Sequence, residues 1–133
     1  DRSLVAGAVE EMLRWTTPVV SFMRTATRDV EVGREMIRAG DPVLMLWASA
    51  NRDSAEFGPD ADEFRVERDP NHHLAFGFGP HFCVGAALAR LEAAAALEAM
   101  LERFSTLRVA GEPRRSPSTV IAGWEHVPLL GGV

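Results

Sequence analysis

The sequence has a single cysteine, Cys83, among its 133 residues. A lone cysteine cannot form an intrachain disulfide, so nothing in the sequence indicates an oxidising compartment. No run approaches the ~20 apolar residues that a membrane-spanning helix needs, and no apolar signal region follows Asp1. The sequence therefore predicts a chain without a membrane span, located in the cytoplasm.

Lysine is absent, so all 14 basic residues are arginines, and the formal net charge is −5. This charge argues against nucleic acid as a partner, because binding to phosphates needs clustered cations. Hydrophobic residues make up 47% of the chain and charged residues 25%, which is typical of a globular protein. The length suffices for one ordinary domain, and we expect a single unit over residues 1–133.

Apolar residues at helical spacing predict two long helices, at about residues 3–15 and 84–104. Strand-like runs separated by turn residues predict a small antiparallel sheet between residues 19 and 46, and further strand-like pieces occur near residues 107, 119–122 and 127–130. Residues 44–51 could instead form a short helix. Residues 53–73 are polar and irregular, and a loop of that length tends to be functional. The predicted fold class is mainly α with a small antiparallel β-sheet.

Cys83 lies at the predicted start of the second long helix. A helix N-terminus presents unpaired backbone N–H groups and a partial positive charge, which together stabilise an anionic sulfur. Nearby glycines allow the backbone to approach a flat, bulky group, and nearby aromatic rings can shield the sulfur from water. These neighbours are Phe76, Gly77, Gly79, Phe82 and Gly85. The alternative is that Cys83 is only a small buried hydrophobic residue.

Five residues match the pattern F-x-x-G-x-H/R-x-C-x-G at every fixed position: Phe76, Gly79, His81, Cys83 and Gly85. This pattern resembles the cysteine-ligand loop of the cytochrome P450 family. The resemblance implies that Cys83 is the thiolate ligand to the iron of haem b. It also implies that the cofactor site includes His81, Arg24, Phe76, Gly77, Gly79 and Gly85. Among these, Arg24 and His81 resemble the family positions that hydrogen-bond the haem propionates.

The segment Glu11-Met12-Leu13-Arg14 resembles the E-x-x-R motif of the same family. A spacing of three residues places both side chains on one face of the first helix. The family pairs this motif with an arginine in the loop before the cysteine, and we expect Arg68 to be that residue, with Arg65 as the alternative. The implied role is structural, since a glutamate between two arginines would join the helix to the loop.

The resemblance further implies a pocket for an apolar small-molecule substrate. Its predicted lining residues are Val19, Val20, Phe22 and Ile121. It also implies a ferredoxin-type electron donor that docks near Cys83, where Arg90 is a candidate for charge steering.

The resemblance covers nearly the whole chain but only the last third of a family member. It implies a single partial domain, the C-terminal part of the cytochrome P450 fold, without the half that carries the distal helix and its acid/alcohol pair. The implied function is that of a haem-thiolate monooxygenase, an oxidoreductase whose full-length parent inserts one oxygen atom from O2 into an apolar substrate. One alternative is a truncated, non-catalytic remnant that cannot hold haem alone. A more remote alternative is a non-haem metal site, for which the candidate ligands are His72, His73, His81 and Cys83.

Overall fold

The structure, a computed structural model, describes residues 1–132. Its helices are α1 (Val5–Thr16), α2 (Trp47–Ala50), α3 (Ser54–Phe57) and α4 (Ala86–Arg103). Short 3-10 turns at Arg2–Leu4 and Gly79–His81 precede α1 and α4. The two long helices lie where the apolar spacing predicts them, and the first begins with the 3-10 turn. None of the helices in the described part of the chain has the length and apolar character needed to cross a bilayer.

The strands are β1 (Phe22–Thr25), β2 (Val30–Val32), β3 (Glu35–Ile37), β4 (Pro42–Met45), β5 (Thr106–Val109), β6 (Arg114–Arg115), β7 (Trp124–His126) and β8 (Leu129–Gly132). Every pairing is antiparallel: β1 with β4, β2 with β3, β5 with β8, and β6 with β7. The β structure between residues 1 and 132 is thus divided among four two-stranded sheets. The fold is mixed, with helices and several small antiparallel sheets.

Three local predictions need correction. Residues 44–51 form the end of β4 followed by α2, so both a strand and a helix are present there. The segment predicted to be irregular contains α3, which begins after Asp53 because the Asp53 carboxylate accepts a hydrogen bond from the Ala55 backbone N–H at 2.9 Å. Residues 119–122 form no strand; they make only an isolated antiparallel bridge between Val19 and Ile121.

Helix α1 lies at the centre of the packed part of the chain. Val5 and Val9 on this helix are buried, together with Phe57 at the end of α3 and Ala61 in the loop after it. At Gly7, an added Cβ would lie only 2.5 Å from the backbone oxygen of Val66. A glycine at this position therefore lets the loop backbone pass directly against α1.

Helix α4 is largely uncovered within residues 1–132. Ala86 is its one buried residue, and the side chains of Leu88, Leu91, Met100 and Leu101 are exposed. The apolar residues Leu97, Met100, Leu101 and Phe104 recur at helical spacing, and of these Met100 and Leu101 are exposed within residues 1–132. Periodicity identifies an apolar face, but the partner that would bury it must be supplied by tertiary packing.

Candidate functional site

A cavity of about 1050 Å³ lies between β1 and the loop that precedes α4. Residues 74–78 and 80–84 of the loop form one wall, and they include Cys83. The opposite wall consists of Leu13 at the end of α1, residues around Phe22 at the start of β1, and Met45 and Trp47. The cavity is therefore mainly apolar, and the single sulfhydryl group of the chain lies on its surface.

The loop before α4 turns back on itself so that Cys83 lies beside Phe76. Gly77 and Gly79 adopt left-handed backbone conformations, with φ of 73° and 74°, which residues with a Cβ rarely adopt. The Cys83 N–H then donates to the Phe76 carbonyl at 3.0 Å. The Phe76 and Phe82 rings pack edge to face, with centroids 6.3 Å apart, next to the exposed cysteine.

Cys83 precedes α4 and is not part of the helix. The helix begins at Ala86 with Gly85 as its N-cap, so the predicted start at residue 84 is slightly early. The Cys83 carbonyl accepts the Ala86 N–H at 3.2 Å, which ties the cysteine to the helix start. Within residues 1–132 the N–H groups of Val84 and Gly85 have no backbone acceptor, and a Cβ added to Gly85 would lie 3.8 Å from the Cys83 sulfur. Two backbone donors thus follow Cys83 directly in the sequence, and at position 85 no side chain contacts the sulfur.

Two cationic or ionisable side chains line the same cavity. The Arg24 guanidinium lies 5.7 Å from the centroid of the Phe22 ring and donates to the Met23 carbonyl at 3.0 Å. His81 lines the cavity from the loop side. Among the described residues, neither side chain forms an ion pair with a carboxylate, so both are available to an anionic ligand group.

The cavity brings together most of the predicted cofactor and substrate residues. Arg24, Phe76, Gly77, His81, Cys83, Val19 and Phe22 line it. Gly79 and Gly85 do not line it but shape the loop on either side of the cysteine. Val20 and Ile121 do not line it; Val20 donates its N–H to the Val120 carbonyl at 2.9 Å, and Ile121 forms a backbone bridge with Val19. Because successive side chains of an extended segment point to opposite sides, Val20 faces away from the side on which Val19 lines the cavity.

Glu11 and Arg14 form a fully buried ion pair, with both side chains 0% exposed. Arg14 donates to both carboxylate oxygens of Glu11, from Nε and Nη2, each at 2.7 Å. Its remaining three N–H groups donate to the carbonyls of Asn51, Ala61 and Glu63 at 2.7–2.8 Å. All five guanidinium donors therefore have acceptors, which is the condition under which a buried arginine is tolerated.

Between the two arginines considered for the loop, the side chain that contacts Glu11 is that of Arg68. Its Nε lies 3.3 Å from Oε1 of Glu11, and its Nη2 donates to the Asp60 carbonyl at 2.8 Å. Arg65 contributes only its backbone N–H, which donates to Glu11 at 2.8 Å, while its side chain pairs with Asp60. Backbone and side-chain groups of the loop thus contact Glu11, the glutamate of the E-x-x-R motif.

Two asparagines at this site were missed by the sequence analysis. Asn51 is fully buried; its side chain donates to Thr17 Oγ1 at 2.9 Å and accepts the Leu74 N–H at 2.6 Å. Asn71 donates to Glu11 at 3.1 Å. Asn51 directly follows α2 and Asn71 lies in a polar loop, so only their proximity to α1 in the folded chain distinguishes them from ordinary loop asparagines.

The pKa of Glu11 is lowered from 4.5 to about 2. Burial opposes this change, but it is outweighed by hydrogen bonds from the Arg14 side chain, the Arg65 backbone and the Arg68 side chain. The folded-state pKa is thus below the unfolded value, so the ionised form contributes stability above pH 4.5, and this contribution is lost as the pH falls towards 2.

We therefore expect the free energy of unfolding of the protein that carries this chain to fall as the pH drops from 4.5 to about 2, with Glu11 accounting for roughly 3 kcal/mol. Urea unfolding at a series of acidic pH values measures this slope in the parent protein and in Glu11→Gln. Because Asp29 and Asp60 also have lowered pKa values, only the difference between the two slopes reports Glu11. Identical slopes would contradict the prediction.

The histidines do not assemble the remote metal site. His73 Nε2 lies 3.0 Å from the Glu10 carboxylate on α1, and His72 Nδ1 lies 3.3 Å from Glu56 on α3. In residues 1–132 there is no group of three or more His, Cys, Asp or Glu side chains that could hold a metal ion. The two adjacent histidines thus contact carboxylates on different helices, and the structure does not support a metal site that combines them with Cys83.

Comparison with known proteins identifies the same family that the cysteine pattern resembles. Residues 1–123 match the family model described as Cytochrome P450. A steroid C26-monooxygenase of Mycolicibacterium smegmatis is 45% identical over 133 residues, which cover 98% of this chain and 33% of that protein. Cytochrome P450-terp of a Pseudomonas species is 41% identical over 129 residues, covering 97% of this chain and 30% of that protein.

Solved structures agree with this relationship. The crystal structure of P450BioI in complex with an acyl carrier protein ligated to hexadec-9Z-enoic acid matches with a TM-score of 0.94 and 38% identity, over 98% of this chain and 34% of that one. The chain spans about a third of the length of the curated relatives it matches. Its fold is that of the C-terminal part of these proteins, and the chain belongs to the cytochrome P450 family.

Proposed function

We propose that Cys83 is the thiolate ligand to the iron of haem b, and that the protein carrying this chain is a monooxygenase. The observation that carries the proposal is that the only cysteine of the chain lies exposed on the wall of a cavity of about 1050 Å³. Bound haem would supply the activation of O2 and the insertion of one oxygen atom into an apolar substrate. The chain itself provides the ligand, the shape of the cavity and its charges.

The residues around the cavity fit a flat, apolar group with two carboxylates. Phe76 and Phe82 provide an aromatic surface beside the sulfur. Arg24 and His81 line the cavity without carboxylate partners among the described residues, and they would bind the two propionates by charge-assisted hydrogen bonds. The cavity volume of about 1050 Å³ slightly exceeds the roughly 300–1,000 Å³ that is usual for small-molecule sites, which is consistent with a cofactor and a substrate together.

The backbone beside the cysteine is suited to tuning the sulfur. Val84 and Gly85 have N–H groups without backbone acceptors within residues 1–132. Directed at the sulfur, they would withdraw electron density from it and shift the potential of the iron that it binds. Gly85 also leaves room beside the sulfur, since a Cβ at that position would be in van der Waals contact with it at 3.8 Å.

The apolar wall opposite the loop is the proposed contact surface for the substrate. Val19 and Phe22 line the cavity directly. Val20 and Ile121 do not line the cavity, but they belong to the backbone pairing of residues 18–20 with residues 120–122 that includes Val19. This surface offers few polar partners, so we assign an apolar small molecule as the substrate class.

Glu11, Arg14 and Arg68 have a structural role in this proposal. They join α1 to the loop that leads to Cys83, and they lie outside the cavity-lining set. The electrons would come from a ferredoxin-type donor. The proposed steering role of Arg90 is weakened because its guanidinium is paired with Glu10 at 2.7 Å. The cytoplasmic location stays a prediction of the sequence.

The absorption spectrum of the reduced, CO-treated protein tests the proposal. We expect the red-shifted Soret band of thiolate-ligated haem, together with iron in proportion to the protein and no zinc after dialysis. A haem protein without the thiolate band would contradict the ligand assignment. Protein that retains no haem at all would instead support the non-catalytic alternative.

A further inference from the structure

Glu10, on α1, contacts both α4 and the loop that precedes it. Its two carboxylate oxygens accept hydrogen bonds from Nε and Nη2 of Arg90 at 2.7 and 2.9 Å. One of these oxygens also lies 3.0 Å from Nε2 of His73. Glu10 is adjacent to Glu11 in the sequence, but its hydrogen-bond partners are different. The proposed function assigns no role to Glu10.

The hydrogen bonds of His73 indicate which of its nitrogens carries the proton. Its Nδ1 accepts the Ala75 N–H at 3.2 Å, so Nε2 carries the hydrogen and donates to Glu10. The His73 side chain is only 2% exposed, and burial lowers its pKa although Glu10 opposes this. Hydrogen bonding from Arg90 in turn lowers the pKa of Glu10. The cluster therefore holds one negative charge, one positive charge and a neutral imidazole.

Phe76 connects this cluster to the cysteine. The Arg90 guanidinium lies 4.6 Å from the centroid of the Phe76 ring, and the His73 ring lies 6.0 Å from it. The carbonyl of the same phenylalanine accepts the Cys83 N–H, and its ring packs on Phe82. The side chains of Arg90 and His73, which both bind Glu10, thus lie against the Phe76 ring. Phe76 in turn contacts Cys83 through its backbone carbonyl.

We propose that Glu10 is a positioning residue for the cysteine loop: by neutralising Arg90 and holding His73, it keeps Phe76 against the Cys83 backbone and keeps net charge away from the sulfur. The inference rests on the proposed function, since its consequence is expressed through the iron bound to Cys83. Charge near a buried redox centre shifts its potential, because reduction adds an electron in a region of low dielectric.

The proposal predicts shifts of opposite sign for the two partners of one ion pair. In Glu10→Gln, the charge of Arg90 is left without compensation, which favours the reduced state and raises the midpoint potential of the haem. In Arg90→Gln, the charge of Glu10 remains and lowers the potential. The double variant removes both charges, so its potential should return close to that of the parent protein.

Spectroelectrochemical titration of the haem-loaded protein measures these potentials. Arg90→Lys keeps the positive charge but loses the bidentate hydrogen bond to Glu10. We expect the haem midpoint potential to shift less in this variant than in Arg90→Gln. Asp29→Asn is the matched control, because it breaks an Arg–carboxylate pair of the same length, 2.7 Å, between exposed side chains that do not line the cavity. Its potential should not change. Loss of the positioning contacts should also lower haem affinity about tenfold in both single variants.

A purely structural role would move the two potentials in the same direction, or not at all, since both single variants break the same hydrogen bonds. Either result, with the thiolate band intact, would overturn the role of Glu10 and leave the ligand assignment of Cys83 in place. Absence of the thiolate band in the parent protein would overturn both.

Discussion

Replacing Cys83 with alanine is expected to abolish thiolate-ligated haem in the protein that carries this chain. The methyl group of alanine cannot coordinate iron, and Cys83 is the single cysteine of the 133 residues. Serine at the same position has nearly the shape of cysteine, but its hydroxyl is not a thiolate, so the thiolate band should disappear from the CO difference spectrum of both variants.

Cys83→His distinguishes loss of the ligand from loss of the fold. An imidazole is itself an iron ligand, so this variant is expected to bind haem with a spectrum of nitrogen ligation and without the thiolate band. Circular dichroism of the apoproteins should show the same helix content in all three variants and in the parent. A thiolate band that persists in Cys83→Ala would rule out Cys83 as the ligand.

The second large effect is expected at Arg14, where the substitution Arg14→Met should cost about 3–5 kcal/mol in the free energy of unfolding. Methionine has a similar length but no charge, so the Glu11 carboxylate would lose its two shortest donors, at 2.7 Å, while remaining buried. The carbonyls of Asn51, Ala61 and Glu63 would lose their donors as well. A loss of this size is a large part of the ~5–15 kcal/mol that stabilises a typical protein.

Urea unfolding of the parent and variant proteins measures this loss. Arg114→Met is the matched control, because Arg114 forms an ion pair of 2.9 Å with Glu125 but its side chain is 73% exposed. Exposed pairs of this kind contribute at most about 1 kcal/mol, so the control should unfold almost like the parent. Equal destabilisation by the two substitutions would show that burial of the Glu11–Arg14 pair has no special importance.

Much of the candidate site could be predicted from residues that are close in the sequence. The glycine and cysteine pattern places Cys83, His81 and Phe76 within one loop, and the structure places all three on one cavity wall. Arg24 could be added only through the family resemblance, because it lies on a strand far from the loop in sequence. The cluster of Glu10, His73 and Arg90 carries no local signal, since its members lie 63 and 80 residues apart.

The sequence by itself determined the two long helices, the common face of Glu11 and Arg14, and the backbone freedom around Cys83. These features depend on spacing within one or two helical turns or on the absence of a Cβ, so neighbouring residues suffice to specify them.

Only the tertiary structure decided that the side chain of Arg68 rather than Arg65 contacts Glu11, that Asn51 is buried, and that Glu10 pairs with Arg90. It also decided that the strands form separate pairs and that α4 keeps exposed leucines within residues 1–132. Each of these depends on tertiary packing, because the hydrogen bonds and buried area that determine the outcome join residues that are distant along the chain.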